Sequence, residues 1–422
     1  MKAQEVGVKS DLKIILESDN QMLDEVMVVA YGTAKKSSFT GSASTINNEK
    51  LELRPITNLT KGLEGQATGL LTTSGSGQPG EDASIVIRGY GSINASQDPL
   101  YVVDGIPFDG SLSSINPSDI ESMTVLKDAS AGALYGARGA NGVVMITTKQ
   151  GKEGKAQVTW RSTVGWASRA IQPYDMVDQK EFVQLTYEAL RNGYAFNSGY
   201  SWEQAQQMAR AGLSANLGGE LYNPFKNYTW DNLINPETGM VQADAVSAWD
   251  ERWMDAVQRD NAFRQEHQLS VNGGSEKTKY MFSLGYLNED GNIDNYGYNR
   301  LNLRSNIDAK LTKSLTFTLG VSGRIEKRDS PRYSADPNAW HNVPQQIIRA
   351  LPYVPDTYEY EGKTYNVSTP TASSPVAPVA SINESGYSKS NYSYIQSNFS
   401  LKYDAPWLKG LSFKFQGAYD LT

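Results

Sequence analysis

The sequence of 422 residues contains no cysteine, which excludes disulfides, thiolate metal sites and a cysteine nucleophile. Histidine is nearly absent too: His267 and His341 lie far apart, and lone histidines of this kind read as solvated or packed rather than as metal ligands or bases. There is no excess of positive charge. The net charge is -7 and the pI near 5.2, which argues against a general attraction to nucleic-acid phosphates or anionic lipid surfaces. Met1 to Ile14 lacks an apolar h-region and a small-residue cleavage site, so any secretory signal is expected to have been removed or truncated already. No run approaches the ~18 apolar residues of a spanning helix. That absence leaves membrane strands open, because they are apolar only at alternate positions, and the 24 tyrosines suit aromatic girdles.

Catalytic constellations are missing as well. Asp24-Glu25 and Glu289-Asp290 are adjacent pairs whose side chains leave an extended chain on opposite faces, so the spacing gives no acid/base couple. No Ser-His-Asp arrangement can be argued. The chain therefore reads as a non-enzyme with no metal and no cofactor. Gly75-Ser-Gly77-Gln-Pro-Gly80 matches G-x-G-x-x-G, but Pro79, Glu81 and Asp82 followed by a strand supply no helix amino terminus for a pyrophosphate. Asp290, Asn292 and Asp294 begin like a calcium loop. Asn295 stands where glycine is required and Leu301 where the bidentate Glu belongs, so a hairpin loop is expected.

What is present falls into two patterns. Leu12, Ile14 and Leu16 alternate ahead of Asp24-Glu25 and the run Val26 to Ala30, and the small polar stretch Gly32 to Ser44 reads as a flexible linker. Short apolar runs at Ser84 to Ile87, Leu100 to Val103, Met123 to Leu126 and Val143 to Thr147 predict buried strands. Short helices are expected at about 57 to 64 and 128 to 135, the second slimmed by Ala129, Ala131 and Ala133. Together these make a compact α+β domain.

After about residue 156 the period becomes two. Leu301, Leu303, Ile307, Ala309 and Leu311 share one parity, and Asn302, Arg304, Asn306, Asp308 and Lys310 the other. Leu315, Phe317, Leu319, Val321 and Ile325 repeat this, as do Tyr280 to Tyr286 and Leu411 to Tyr419. Seven strands are predicted, near 157-168, 264-274, 277-289, 298-311, 314-326, 391-404 and 410-420, each about ten residues or slightly more. Tight turns at Lys313-Ser314 and Pro406 to Gly410 contrast with long loops at 169-263 and 327-390. Within the first loop Asp178 and Glu181 suit a capping box, with Gly193 expected to end that helix. Ser201 to Gly212 predicts a second helix.

Two ordered signals are specific. The first is Asp24-Glu25-Val26-Met27-Val28-Val29-Ala30-Tyr31-Gly32. By pattern alone its β-branched run reads equally as a core strand or as a tethered strand that adds to a partner's sheet. The second is Ile87-Arg88-Gly89, Pro99 to Asp104-Gly105-Ile-Pro107, Ile115-Asn-Pro117 to Glu121, and Val125-Leu-Lys-Asp-Ala129 through Tyr135-Gly136-Ala-Arg138-Gly139-Ala-Asn141-Gly142. Bottom-up, its glycines read as tight turns and points of close backbone approach. In order and spacing the two signals resemble the TonB box and plug domain of SusC/RagA-type TonB-dependent outer-membrane transporters.

That resemblance implies an α+β plug domain followed by antiparallel transmembrane β-barrel strands. Residues 1-23 would be the tail of a small β-sandwich extension, 24-44 the TonB box and linker, 45-156 the plug, and 157-422 the first barrel strands, with 169-263 and 327-390 extracellular. Seven strands fall short of the about 22 with which plugged transporters close, so the barrel is expected to be incomplete and the chain a fragment. The implied function is TonB-dependent, plug-gated import of an oligosaccharide or peptide across the cell outer membrane. Implied partners are the TonB-ExbB-ExbD complex, a SusD-like lipoprotein and outer-membrane lipid. The resemblance gives Arg88 and Arg138 the role of holding plug to barrel wall by charge-assisted bonds. Tyr194, Tyr200, Trp202, Trp230, Trp249 and Trp253 stand as loop aromatics for contact with ligand or lid, set against plain loop packing. The alternative is a soluble or surface-attached β-rich glycan-binding or adhesion protein, which would be recovered without detergent.

Overall fold

The structure is a computed structural model. It describes residues 26–29, 32–35, 43–52, 58–74, 78–92, 96–108, 110, 112, 115–127, 133–168, 176–249, 253–332, 343–369, 376–408 and 410–421. The chain divides into two compact units, one of Met1–Gly75 with Asp82–Lys149, the other of Ser76–Glu81 with Gln150–Thr422.

In the first unit β1 (Val26–Val29) pairs antiparallel with β2 (Gly32–Lys35). The body of the unit is a mixed sheet. It contains β3 (Ala43–Asn47), β6 (Leu100–Val103), β7 (Ile106–Phe108), β8 (Ile120–Leu126) and β9 (Val143–Thr148), in the order β3-β8-β9-β6-β7. Only β6 and β9 run parallel within it; β4 (Leu70–Thr73) and β5 (Ser84–Ile87) form a separate hairpin. The unbroken apolar run Val143 to Ile146 follows from the central place of β9, where both faces are covered. Ile46, Leu59, Leu63, Ile85, Met123, Val125, Val144 and Ile146 make the core, each contributing about 1.5–3 kcal/mol by leaving water. Helix α1 spans Asn48–Glu52 and α2 Leu59–Gly62, the latter capped by Asn58 Oδ1, which accepts from Thr60 N at 2.9 Å. Of the helix expected at 128 to 135, residues 128–132 lie outside the described ones; Ala133–Gly139 is 3₁₀, broken at Gly136.

The second unit carries one seven-stranded sheet of β10 (Gly154–Ala167), β11 (Ala262–Gly274), β12 (Thr278–Asp290), β13 (Gly297–Lys310), β14 (Leu315–Pro331), β17 (Tyr387–Asp404) and β18 (Ser412–Leu421). All neighbours are antiparallel and consecutive along the sheet, and β10 and β18 form open edges, so the barrel is not closed. Several strands outrun the expected ten residues. β17 has 18, more than the about 9–11 with which a tilted strand spans a hydrocarbon layer, and it stays paired with β14 over Tyr387 to Tyr403. The connections 168–261, 291–296 and 332–386 leave one end of the sheet, and the short ones 275–277, 311–314 and 405–411 the other.

The two longest connections are folded. The first holds α3 (Gln179–Asn192), α4 (Trp202–Asn216), α5 (Trp230–Leu233) and α6 (Trp253–Val257). The second holds α7 (Val343–Arg349), the hairpin β15 (Thr357–Tyr360) with β16 (Lys363–Asn366), and α8 (Pro378–Asn383). Asp178 caps α3 through Glu181 N at 2.7 Å. The α-helix ends at Gly193 as expected, but Gly193 keeps right-handed dihedrals instead of a left-handed cap, and Gly193–Asn197 follows as a π turn. Val183, Tyr187, Leu213, Trp230, Trp253, Tyr353, Val354 and Ile382, drawn from both connections, share one apolar core.

Candidate functional site

The seven-stranded sheet wears its apolar face outward. Register carries one row from Trp160 through Leu269, Leu284, Leu303 and Gly323 to Ile395 and Leu421, and apart from Gly323 these side chains are exposed, Trp160 by 73 %. The opposite parity is polar and covered: Gln268, Ser283, Arg300, Asn302, Arg304, Asn306, Arg324 and Glu326 are all buried, Arg300 to 1 %. A water-soluble sandwich arranges its strands the other way, with apolar residues inside. Apolar-out, polar-in alternation belongs to strands whose outer solvent is lipid.

The polar face is organised around Glu326. Its carboxylate accepts from Arg324 Nη2 at 3.1 Å, from Arg328 Nε at 2.7 Å and from Tyr298 Oη at 3.1 Å. The Arg324 guanidinium also lies 4.3 Å from the Tyr394 ring centre. Sequence reading passed over this group. Its signal was there: Arg-x-Glu-x-Arg places three charges on one face of a strand. Neighbouring connections are tied by Arg259, which bridges Asp290 at 3.1 Å and Asp294 at 3.1 Å, while Asn295 is left-handed with φ 63. Those acids belong to a hairpin loop held by a cation, and among the described residues no group of acids and histidines suits a metal.

In the first unit the motif residues build turns around β9. Arg88 and Gly89 follow β5 in the left-handed region, at φ 61 and 93, with Arg88 exposed. Asp104 and Gly105 make the β6–β7 turn, and the Asp104 carboxylate accepts from Thr148 N at 2.9 Å and Thr148 Oγ1 at 2.7 Å. Tyr135 packs half-buried against Leu100, Val102 and Leu126, Arg138 is exposed, and Gly139 is buried. Asn141 Nδ2 donates to Ser96 O at 2.9 Å and Asp98 O at 3.3 Å. Burial, then the Asp98 and Asp82 carboxylates, push the Tyr101 phenol above its ordinary value. Of the predicted TonB box, Val26 to Val29 and Gly32 lie in the β1–β2 pair, and Asp24, Glu25, Ala30 and Tyr31 fall outside the described residues.

The loop aromatics separate into two groups. Tyr194, Tyr200 and Trp202 lie by the π turn with Phe196, and Trp202 is 47 % exposed beneath the Arg191 guanidinium at 4.4 Å. Trp230 and Trp253, expected among the ligand or lid contacts, are instead core. Their indole N–H groups donate to Gly219 O at 2.9 Å and Leu351 O at 3.0 Å, which satisfies the polar edge and lets the rings be buried. Half-buried Trp249 donates to Tyr353 O at 3.0 Å.

Residues 35–143 match the family described as TonB-dependent Receptor Plug Domain. The chain is 33% identical over 313 residues to the TonB-dependent receptor SusC of Bacteroides thetaiotaomicron, covering 72% of this chain and 26% of that protein. To the TonB-dependent receptor P39 of Formosa agariphila it is 31% identical, covering 78% and 28%. Among solved structures it resembles the RagAB peptide importer in its "open-open" state, with TM-score 0.67, 27% identity, and coverage of 94% of this chain and 42% of that one. The chain spans about a quarter of the length of the curated relatives it matches. With a plug-domain match ahead of a sheet that is apolar outside and polar inside, the chain belongs to the SusC/RagA-type TonB-dependent receptors, proteins of the cell outer membrane.

Proposed function

We propose that this chain serves plug-gated, TonB-dependent import of a nutrient, an oligosaccharide or a peptide, across the outer membrane, in company with a SusD-like lipoprotein. The observation that carries the reading is the inverted sheet in the same chain as a plug domain: a wall built for lipid on one face and for polar cargo on the other. Residues 24–32 are the TonB box in this reading. TonB adds this segment to its own sheet and pulls, and part of the plug moves. Arg88 and Arg138 hold the resting plug in this reading, and exposed Tyr200 and Trp202 offer aromatic faces to cargo or lid, with half-buried Tyr194 packed behind them on the core. The likeness to the RagAB peptide importer supports the peptide class.

The test is binding of a TonB carboxy-terminal domain to this chain, together with uptake of labelled oligosaccharides and peptides by cells whose transporter carries it within a closed barrel. Binding lost on replacing Val26 to Val29 with glycine is the expected result. Binding that ignores this replacement, or uptake indifferent to it, overturns the reading.

A further inference from the structure

Lys127 directly follows β8, and its side chain is buried. A buried ammonium ordinarily sits beside a carboxylate, because removing it from water is costly. Among the described residues no carboxylate pairs with Lys127. Its Nζ donates instead to two hydroxyls, Ser44 Oγ at 2.7 Å and Thr68 Oγ1 at 3.3 Å. Ser44 lies on β3, at one edge of the plug sheet, and Thr68 lies just ahead of β4. One amine therefore grips both ends of the segment 44–68.

That segment is the first part of the plug after the TonB-box region, and it carries Ile46, Leu51, Leu59 and Leu63 into the core. Its middle is tied by Ala83 N to Thr60 Oγ1 at 2.7 Å and by Asn58 Nδ2 to Asp82 Oδ1 at 2.5 Å. The other four strands, β8, β9, β6 and β7, pair among themselves without it. An edge strand detaches without breaking the ladder behind it.

We infer that Lys127 is a clasp: it holds segment 44–68 in the plug, and its release lets force on the amino terminus draw that segment out while the four-stranded remainder stays folded. The inference rests on the proposed TonB-driven import. Hydroxyl partners suit a clasp that must open, since the ammonium regains full hydration on release and leaves no carboxylate behind in the core. Lys127 is a positioning residue here and touches no cargo.

Hydrogen exchange on the full chain in detergent tests this. In K127M the amides of Ser44 to Asn47 should exchange about tenfold faster or more, those of β9 should be unchanged, and K127R should restore protection. Equal acceleration in β3 and β9, or none in β3, overturns the clasp. S44A and T68V each remove one bond and should accelerate β3 by less. Should K127M fail to fold, unchanged β3 exchange in both of these overturns it equally. Pulled through its amino terminus, the chain should release the segment in one step of roughly 85–90 Å, at about 3.5 Å per residue, with lower force in K127M. None of these readouts needs TonB, so a TonB domain that ignores residues 24–32 overturns the transport reading and leaves the clasp measurement standing.

Discussion

Glu326 shows at the scale of one residue how the polar face is stabilised. Two arginines and a tyrosine share its carboxylate, so Glu326→Gln leaves buried guanidinium charge without its counter-charge. A loss of about 3–5 kcal/mol is expected, read as a lower denaturant midpoint for the full chain in detergent. Gly142 gives the corresponding prediction in the plug. Its φ is 93, and a Cβ there would stand 2.7 Å from Ile87 Cδ1 and 3.2 Å from Leu126 O. Gly142→Ala should cost about 1–3 kcal/mol, seen as early melting of the plug with the sheet unaffected. Such residues were only partly legible in the sequence. The Gly136–Gly142 run announced tight turns, whereas no local pattern tells that Trp230 is core and Trp202 surface, because that depends on which carbonyl meets the indole N–H.

At the scale of elements, the helices of the outer connections form a module. Trp230 sits edge-on to Tyr353 at 6.5 Å between ring centres, and Trp230→Ala should destabilise the module by about 3–5 kcal/mol, measured by denaturation monitored at the remaining tryptophans. Burial, then the neighbouring Tyr222, push the Tyr353 phenol up to about 12 from its ordinary 10. The folded form holds this proton more tightly than the unfolded chain. Its contribution is therefore complete below pH 10 and is lost as pH rises from 10 through 12. Tryptophan emission should shift to the red across that interval, and Tyr353→Phe should flatten the change. The α3 cap was readable from Asp178 and Glu181 and its end from Gly193, but the π turn that follows was not. Gly193 is permissive rather than compulsory in the left-handed region, and the chain used it to continue into a π turn.

For the whole molecule, strand parity in the sequence already indicated which face meets which solvent, because a period of two admits no other assignment once one parity is charged. It could not give strand length, since the extent of pairing depends on the partner strand and not on hydropathy. Leu284 lies mid-row on the apolar face and Ser283 on the polar one. Leu284→Lys should weaken folding into lipid vesicles by about 2–4 kcal/mol, and Ser283→Thr should not; equal losses would remove the lipid assignment of that face. The apolar core shared by the two long connections has a practical corollary for chimeras. Four strands and three short connections separate them in sequence, yet Trp230 and Trp253 of the first share a core with Tyr353, Val354 and Ile382 of the second. Specificity grafts between relatives should therefore fail when one connection is exchanged and succeed when 168–261 and 332–386 travel together, a matched pair inherited as one part.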